Sequence, residues 1–267
     1  MTNEKTESLY GYNKSSFEEN KDFFENFLLK LKKPFDDYLE MNIKDSVFYS
    51  MNYGDNHIGF FTILEEKYIT SFYIPDSLLY LAKDFFNLIL KNFQIEMMLV
   101  TSFDEISLCL SMDYLSDIKT HYLYYTLSGL PVRNAEYPIE LFKKATLEDI
   151  SVIKKHTGNF IDFHESRIEK DQLYILRDNE GSFLGLGIII PHALQPGICS
   201  FGVFVREDEQ RNFAGRSILI HLLNISKDRL LSPRCACPID NDAYRRTLES
   251  AGFVNDSRLL VINIAYK

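Results

Sequence analysis

The sequence contains no tryptophan, only four cysteines, and no run of apolar residues long enough to span a membrane. Four cysteines in a chain of 267 residues do not suggest a disulfide framework, so we expect reduced thiols. Residues 1–7 also lack the apolar core of a secretory signal. These absences predict a cytoplasmic protein that does not act on a membrane.

Basic residues are outnumbered by acidic ones. The chain has 29 Lys and Arg against 38 Asp and Glu, which gives a formal net charge of −9. A general nucleic-acid binder usually carries a basic surplus, so we expect no nucleic-acid partner. Hydrophobic residues make up 46% of the chain and include 21 Phe and 16 Tyr. We expect these aromatic residues to pack the core of one large domain or two ordinary ones.

The chain is organised around residues 201–223. Residues 201–205 are apolar and predict a buried strand, a charged loop with a single glycine follows, and a helical apolar face then begins at Ile218. This order directs unpaired backbone N–H groups and the positive end of a helix dipole at one point, which suits a phosphate. Gly215 lets the backbone approach such a ligand, and Arg211 and Arg216 add positive charge beside it.

This stretch resembles the pyrophosphate loop of the GNAT superfamily of acyl-CoA-dependent N-acetyltransferases. The family loop has Arg or Gln first, Gly fourth, and Gly or Ala sixth. Residues 210–215 (Gln-Arg-Asn-Phe-Ala-Gly) match at the first and last positions, and Phe213 stands in the place of the glycine. A second family motif is matched downstream by Asn241, Gly252 and Phe253.

The resemblance implies acetyl-CoA, or another acyl-CoA, as cosubstrate and no metal; Cys235 and Cys237 are interpreted as ordinary thiols. In this family, main-chain groups at the end of the fourth strand hold the pantetheine arm and the loop holds the pyrophosphate. The residues expected at the cofactor are therefore Phe204, Val205, Gln210, Arg211, Asn212, Phe213, Ala214, Gly215, Arg216, Ser217 and Asn241. Asn241 is equally well explained as a helix cap.

Catalytic residues are harder to identify. Leu248 stands where the family often has a tyrosine acid, and Tyr244 lies one helical turn earlier on the same face. Tyr244 is a candidate proton donor or simply a packed tyrosine. His164 and Glu165 follow the first predicted helix of the second half, in the segment that lines the acceptor pocket in this family. They are candidates for the general base or members of a solvated polar turn.

Each half of the sequence predicts the same order: helix, hairpin, strand, helix, strand, helix, strand. This indicates an α+β (mixed α/β) fold with two GNAT-like domains, each a mostly antiparallel mixed sheet flanked by helices. The predicted domains are 1–130 and 139–267, with a linker at 131–138. In the first domain the strand ending at Ile74 passes almost directly into a helix without glycine or arginine, so that copy is degenerate and lacks a phosphate loop.

These observations predict an acyltransferase, most readily an acetyltransferase, that moves the acyl group from CoA directly to an amine. The acceptor is left open as a small amine, an amino acid or a peptide, and so are acyl length and oligomeric state. A non-catalytic acyl-CoA-binding sensor is the alternative, favoured by Leu248 and Phe213. A purely structural tandem module would require a loop that binds nothing.

Overall fold

The computed structural model describes residues 9–129 and 133–265, which fold into two compact units. Unit 1 contains the described residues up to Leu123 and from Ser257 onward, and unit 2 contains residues 124–256. The predicted domains at 1–130 and 139–267 concern the internal repeat and stay a prediction. Residues 131 and 132 of the predicted linker lie outside the described residues.

Both units contain strands and helices. The strands are β1 Tyr10–Ser15, β2 Val47–Tyr53, β3 Asn56–Leu64, β4 Tyr68–Tyr73, β5 Met97–Thr101, β6 Leu115–Leu127, β7 Phe142–Lys144, β8 Leu173–Arg177, β9 Phe183–Pro191, β10 Ile198–Val205, β11 Ser232–Pro233, β12 Cys235–Pro238 and β13 Phe253–Ile264. The α-helices are α1 Lys21–Leu31, α2 Asp37–Asp45, α3 Ala82–Asn92, α4 Glu105–Met112, α5 Ile150–Thr157, α6 His164–Glu169, α7 Ala214–Asp228 and α8 Asp242–Ser250.

Strand pairing follows one plan in the two units. In unit 1, β1 to β4 are antiparallel neighbours, β5 is parallel to β4, and β13 is antiparallel to β5. In unit 2, β7 to β10 are antiparallel neighbours and β11 is parallel to β10. The predicted α+β fold, with mostly antiparallel mixed sheets flanked by helices, is confirmed.

Each parallel pair is short and then separates. In unit 1 only residues 68–69 pair with 97–98, and in unit 2 only residues 198–199 pair with 232–233. The far ends of β4 and β10 therefore leave main-chain groups unpaired on that side of the strand. Such groups are available to a ligand that lies along the strand.

A glycine marks the separated end of the strand in both units. A Cβ atom on Gly185 of β9 would lie 2.5 Å from the Phe204 carbonyl oxygen in β10. A Cβ atom on Gly59 of β3 would overlap the carbonyl oxygen of Tyr73 in β4 in the same way. Only a residue without a side chain permits this approach. The two units therefore share this close glycine contact as well as the order of their strands.

The start of the chain differs from the sequence prediction. The polar composition of residues 1–16 predicts a loose lead-in, but Tyr10–Ser15 forms β1 and pairs with β2. The Tyr10 and Tyr12 rings pack edge-on against Phe85 and Phe61, at centroid distances of 5.1 and 5.6 Å. These partners lie far away in sequence, so the local pattern of polar residues concealed the strand.

Aromatic side chains fill the core of unit 1. The buried cluster includes Phe61, Phe72, Phe85 and Phe86, all at most 1% exposed. Burying a side chain of this size stabilises a fold by about 1.5–3 kcal/mol. Among residues 9–129 and 133–265, no helix is both long enough and apolar enough to cross a membrane.

Candidate functional site in unit 2

The loop between β10 and α7 adopts left-handed backbone conformations without glycine. Arg211 has φ 71° and Phe213 has φ 62°. Phe213 occupies the position at which the family motif has glycine, so the turn that the motif requires is formed by a strained aromatic residue. Its ring is 53% exposed and lies against the Arg216 guanidinium, 4.4 Å from the ring centroid.

The amino end of α7 is open to an anion. Phe213 is the N-cap residue and its side chain makes no capping hydrogen bond. The first backbone N–H groups of this 15-residue helix therefore lack side-chain acceptors, and they carry the positive end of the helix dipole. A phosphate placed here would accept hydrogen bonds from several of them at once.

A pocket of about 720 Å³ opens at this point, between the end of β10, the loop and the first turns of α8. Most of the residues predicted to bind the cofactor line it: Phe204, Val205, Gln210, Arg211, Phe213, Ala214, Gly215, Arg216 and Asn241. Tyr244 lines the pocket as well. The structure thus brings two motifs, 26 or more residues apart in the chain, to one cavity.

The pocket is electropositive although the protein is acidic. Four arginines line it: Arg133, Arg211, Arg216 and Arg246. The two acidic residues of its lining each pair with an arginine that lies outside the lining. Arg206 Nη2 donates to Glu209 at 3.0 Å, and Arg245 lies 2.8 Å from Asp242. A multiply charged anion such as a diphosphate would be attracted to this cavity.

The Arg216 side chain lies in the wall of the pocket with a donor available to a ligand. Its side chain is 11% exposed, and the Nε atom is buried with no hydrogen-bond partner among the described residues. The nearest carboxylate, that of Glu136, lies 3.8 Å from Nη2. A buried donor without a partner is costly, so a ligand oxygen at this position would be strongly favoured.

Residues 207–209, just before the loop, are acidic, but most of their charge is compensated by an arginine. Arg206 donates to Asp208 and to Glu209, and its hydrogen bond lowers the pKa of the Asp208 carboxyl group. Arg206 Nη1 also donates to the Phe183 carbonyl oxygen at 2.9 Å. Two of the three acidic side chains are therefore tied to an arginine.

Gly215 has a packing role that the motif did not reveal. A Cβ atom on it would lie 3.0 Å from Thr247 Cγ2 and 3.4 Å from Val205 Cγ2. The glycine therefore allows α7, α8 and the end of β10 to approach one another beside the pocket. A side chain at this position would alter the pocket wall as well as the loop.

Two of the predicted cofactor residues do not line the pocket. Ser217 is fully buried, and its Oγ accepts from the N–H groups of Glu136 and Tyr137 at 2.9 and 3.2 Å. The Asn212 amide instead contacts Glu209 at 3.3 Å on the surface. Ser217 thus anchors the segment before β7 to the first turn of α7.

Asn241, at the start of α8, both caps the helix and lines the pocket. Its Oδ1 accepts from the Tyr244 N–H at 2.9 Å, so it caps the helix, and it also lines the pocket. Tyr244 is half-buried and its hydroxyl donates to the Phe201 carbonyl oxygen at 3.0 Å. Leu248 is completely buried and belongs to the core.

The candidates for a general base lie outside the pocket lining. His164 is 7% exposed, and its Nε2 has no partner among the described residues. Glu165 is exposed, 3.8 Å from Lys154 Nζ. His192, another histidine of this half, is buried, with Nε2 2.9 Å from Ser200 Oγ. A catalytic role for His164 and Glu165 stays a prediction.

Unit 1 has a pocket of about 690 Å³ at the corresponding place, between the end of β4 and the start of α4. Only Pro75 separates Ile74 from Asp76, and the Asp76 carboxylate pairs with Lys30. Burial raises the pKa of Asp104, which caps α4, to about 6. After β4, unit 1 therefore has the acidic residue Asp76 at the place where unit 2 has its glycine- and arginine-containing loop.

Sequence reasoning missed Arg133 and Arg246. Arg246 lies inside the second motif, between Asn241 and Gly252, and its position on α8 is a signal that was available. Arg133 lies in the predicted linker, where nothing in the local pattern indicates a ligand. Among the described residues, no group of three or more His, Cys, Asp or Glu is arranged to hold a metal ion, and Cys235 and Cys237 are buried and not joined by a disulfide.

The left-handed backbone at Phe213 yields a testable prediction. We expect Phe213→Gly to be more stable than Phe213→Ala by about 1 kcal/mol, because alanine retains the left-handed strain and glycine does not. Both variants lose the contact with Arg216, so the difference between them isolates the backbone. Chemical unfolding of the pair measures it, and an alanine variant as stable as the glycine variant would show that the residue is not strained.

Comparisons with known proteins agree with this geometry. A family model described as an acetyltransferase (GNAT) domain matches residues 16–127, the half predicted to be degenerate. The solved structure of a GNAT-family acetyltransferase from Colwellia psychrerythraea is 14% identical, with 95% of this chain and 99% of that chain covered and a TM-score of 0.82. No curated protein matches the chain.

Two further solved structures show the same fold over the whole length. A GCN5-related N-acetyltransferase from Sphaerobacter thermophilus is 10% identical, with 96% of each chain covered and a TM-score of 0.54. A tandem GNAT protein from the clavulanic acid biosynthesis pathway is 11% identical, with 95% of this chain and 98% of that chain covered and a TM-score of 0.54. At these identities the likeness concerns the fold.

Proposed function

We propose that this chain, which carries a GNAT acetyltransferase domain and has the fold of tandem GNAT proteins, is an acyl-CoA-dependent N-acyltransferase that binds its cosubstrate in unit 2. The observation that carries the proposal is the pocket at the amino end of α7. It combines uncapped helix N–H groups, four arginines and the separated end of a parallel strand. Acetyl-CoA is the cosubstrate we favour.

Each part of CoA has a counterpart in this pocket. Its diphosphate would lie at the amino end of α7, where N–H groups and Arg216 supply donors. Arg211, Arg246 and Arg133 offer further charge for the third phosphate. The pantetheine arm would run along the unpaired edge of β10 beyond Cys199, with its amides bonded to main-chain groups.

The reaction requires little covalent help from the protein. The amine nitrogen attacks the thioester carbonyl carbon, the C–N bond forms, the C–S bond breaks, and the amine loses a proton while the thiolate gains one. A main-chain N–H of β10 would polarise the carbonyl. Tyr244 carries the phenolic hydroxyl of the pocket wall and is our candidate for the proton donor. We leave the base unassigned.

One observation favours a second function. Among the described residues that line the pocket there is no histidine, and the candidate bases His164 and Glu165 do not line it. A protein that binds acyl-CoA and responds to it without transferring the acyl group would need only the anion site. Binding and turnover therefore have to be measured separately.

The test begins with calorimetric titration of CoA and acetyl-CoA, followed by thiol release from acetyl-CoA in the presence of pooled small amines, amino acids and peptides. Binding with acceptor-dependent thiol release supports the enzyme. Binding without release from any pool supports the sensor. Absence of CoA binding would eliminate both functions.

A further inference from the structure

The parallel ladder between β10 and β11 ends at a defined carbonyl group. Ser232 N–H donates to Gly197 at 2.8 Å, and Arg234 N–H donates to Cys199 at 2.7 Å. In a parallel pair the acceptors follow every second residue, so the next one is the Phe201 carbonyl oxygen. That oxygen accepts from the Tyr244 hydroxyl at 3.0 Å instead. The Tyr244 hydroxyl thus replaces the main-chain N–H that would donate to Phe201 if the parallel pairing continued.

Tyr244 is fixed at this point from both ends. Its backbone N–H is bonded to the Asn241 cap in the first turn of α8, and its hydroxyl is bonded to β10. Phe201 is 5% exposed and packs edge-on against Phe253, with the ring centroids 6.4 Å apart. The part of β10 that Tyr244 contacts is therefore anchored in the buried core by this aromatic pair.

We propose that Tyr244 closes the inner end of the cleft between β10 and β12 and restricts the acyl group to short chains. This inference rests on the proposed function and names the acyl class of the same site. With its phosphates at α7, the acyl-pantetheine arm extends along β10 from Val205 toward Phe201 and meets the tyrosine ring. Beyond that ring, the bond between Arg234 and Cys199 holds the main chains together.

The ring and the hydroxyl have separate effects in this arrangement. The ring occupies space, so it excludes carbon atoms beyond the first few of an acyl chain. The hydroxyl supplies one hydrogen bond to Phe201, which holds the ring in place but adds no volume. Tyr244→Phe therefore keeps the barrier, whereas Tyr244→Ala removes it and opens the cleft as far as the Arg234–Cys199 bond.

The experiment compares affinities for CoA, acetyl-CoA, propionyl-CoA and hexanoyl-CoA by calorimetry, with no acceptor present. For the unaltered protein we expect hexanoyl-CoA to bind about tenfold or more weakly than acetyl-CoA, because overpacking a closed cleft is unfavourable. We expect Tyr244→Phe to preserve this ratio and Tyr244→Ala to reduce it to about threefold or less. A general loss of structure would weaken all four ligands together and leave the ratio unchanged.

The outcomes separate this inference from the proposed function. If hexanoyl-CoA and acetyl-CoA bind the unaltered protein equally well, the inference is wrong and acyl-CoA binding still holds. A Tyr244→Ala protein that binds CoA as tightly as the unaltered protein and retains the full discrimination also overturns it. Absence of binding by CoA itself removes the proposed function and the inference with it.

Discussion

Reversing the charge of two exposed arginines in the unit 2 pocket is expected to weaken CoA binding by about a hundredfold or more. The double variant carries Arg211→Glu and Arg246→Glu. Both side chains line the pocket and are exposed, so their replacement should leave the fold intact. Each lost charge-assisted hydrogen bond to a phosphate costs about 1.5–3 kcal/mol, and the new carboxylates add repulsion. Calorimetric titration measures the change.

A matched variant carries the same change in net charge elsewhere on unit 2. Lys155→Glu together with Lys170→Glu replaces two exposed lysines outside the pocket lining. We expect it to bind CoA within about threefold of the unaltered protein, because neither lysine lines the pocket and salt screens interactions between exposed charges. Equal losses in the two double variants would mean that affinity depends on overall charge and not on this pocket.

The second large effect is expected from Gly185→Ala, which should destabilise unit 2 by about 3 kcal/mol or more and weaken CoA binding. The added Cβ atom lies 2.5 Å from the Phe204 carbonyl oxygen, so β10 has to move where it forms the pocket wall. Chemical unfolding and calorimetry measure the two losses. An alanine variant that unfolds and binds like the unaltered protein would contradict the close approach.

Two other glycines serve as controls. A Cβ atom on Gly202, in β10 itself, would have its nearest contact with Ile188 Cδ1 at 3.2 Å, and we expect Gly202→Ala to cost less than about 1.5 kcal/mol. Gly59→Ala should destabilise unit 1 and leave the affinity for CoA unchanged, because its Cβ atom would overlap Tyr73 in β4. Hydrogen exchange resolved along the chain assigns each loss to its unit.

The sequence predicted those parts of the fold that depend on neighbouring residues. The strand predicted at 201–205 is the second part of β10 and ends at Val205, because its apolar run ends at a charged loop. The helix cap predicted at Asn241 is present, since Asn241 and its partner Tyr244 lie within one turn. The fold class followed from the order of such elements.

The site was predictable only where a motif marked it. The motif at 210–215 indicated the anion loop, but not the left-handed Phe213, because a dihedral angle depends on the packing that holds the residue. Arg133 reaches the pocket through tertiary structure, from a segment without any local signal. The carbonyl group that Tyr244 contacts lies 43 residues away, and residue spacing within α8 carries no information about it.

Because unit 1 includes the residues after unit 2, the two units are completed in an unexpected order during synthesis. Residues 257–264 complete the sheet of unit 1, yet they are made after all of unit 2, and Leu259 to Asn263 pair with β5. While the ribosome is still at work, unit 2 has its full sequence before unit 1 does. Until the last strand emerges, β5 presents an unpaired apolar edge, the kind of surface on which nascent chains aggregate or engage chaperones.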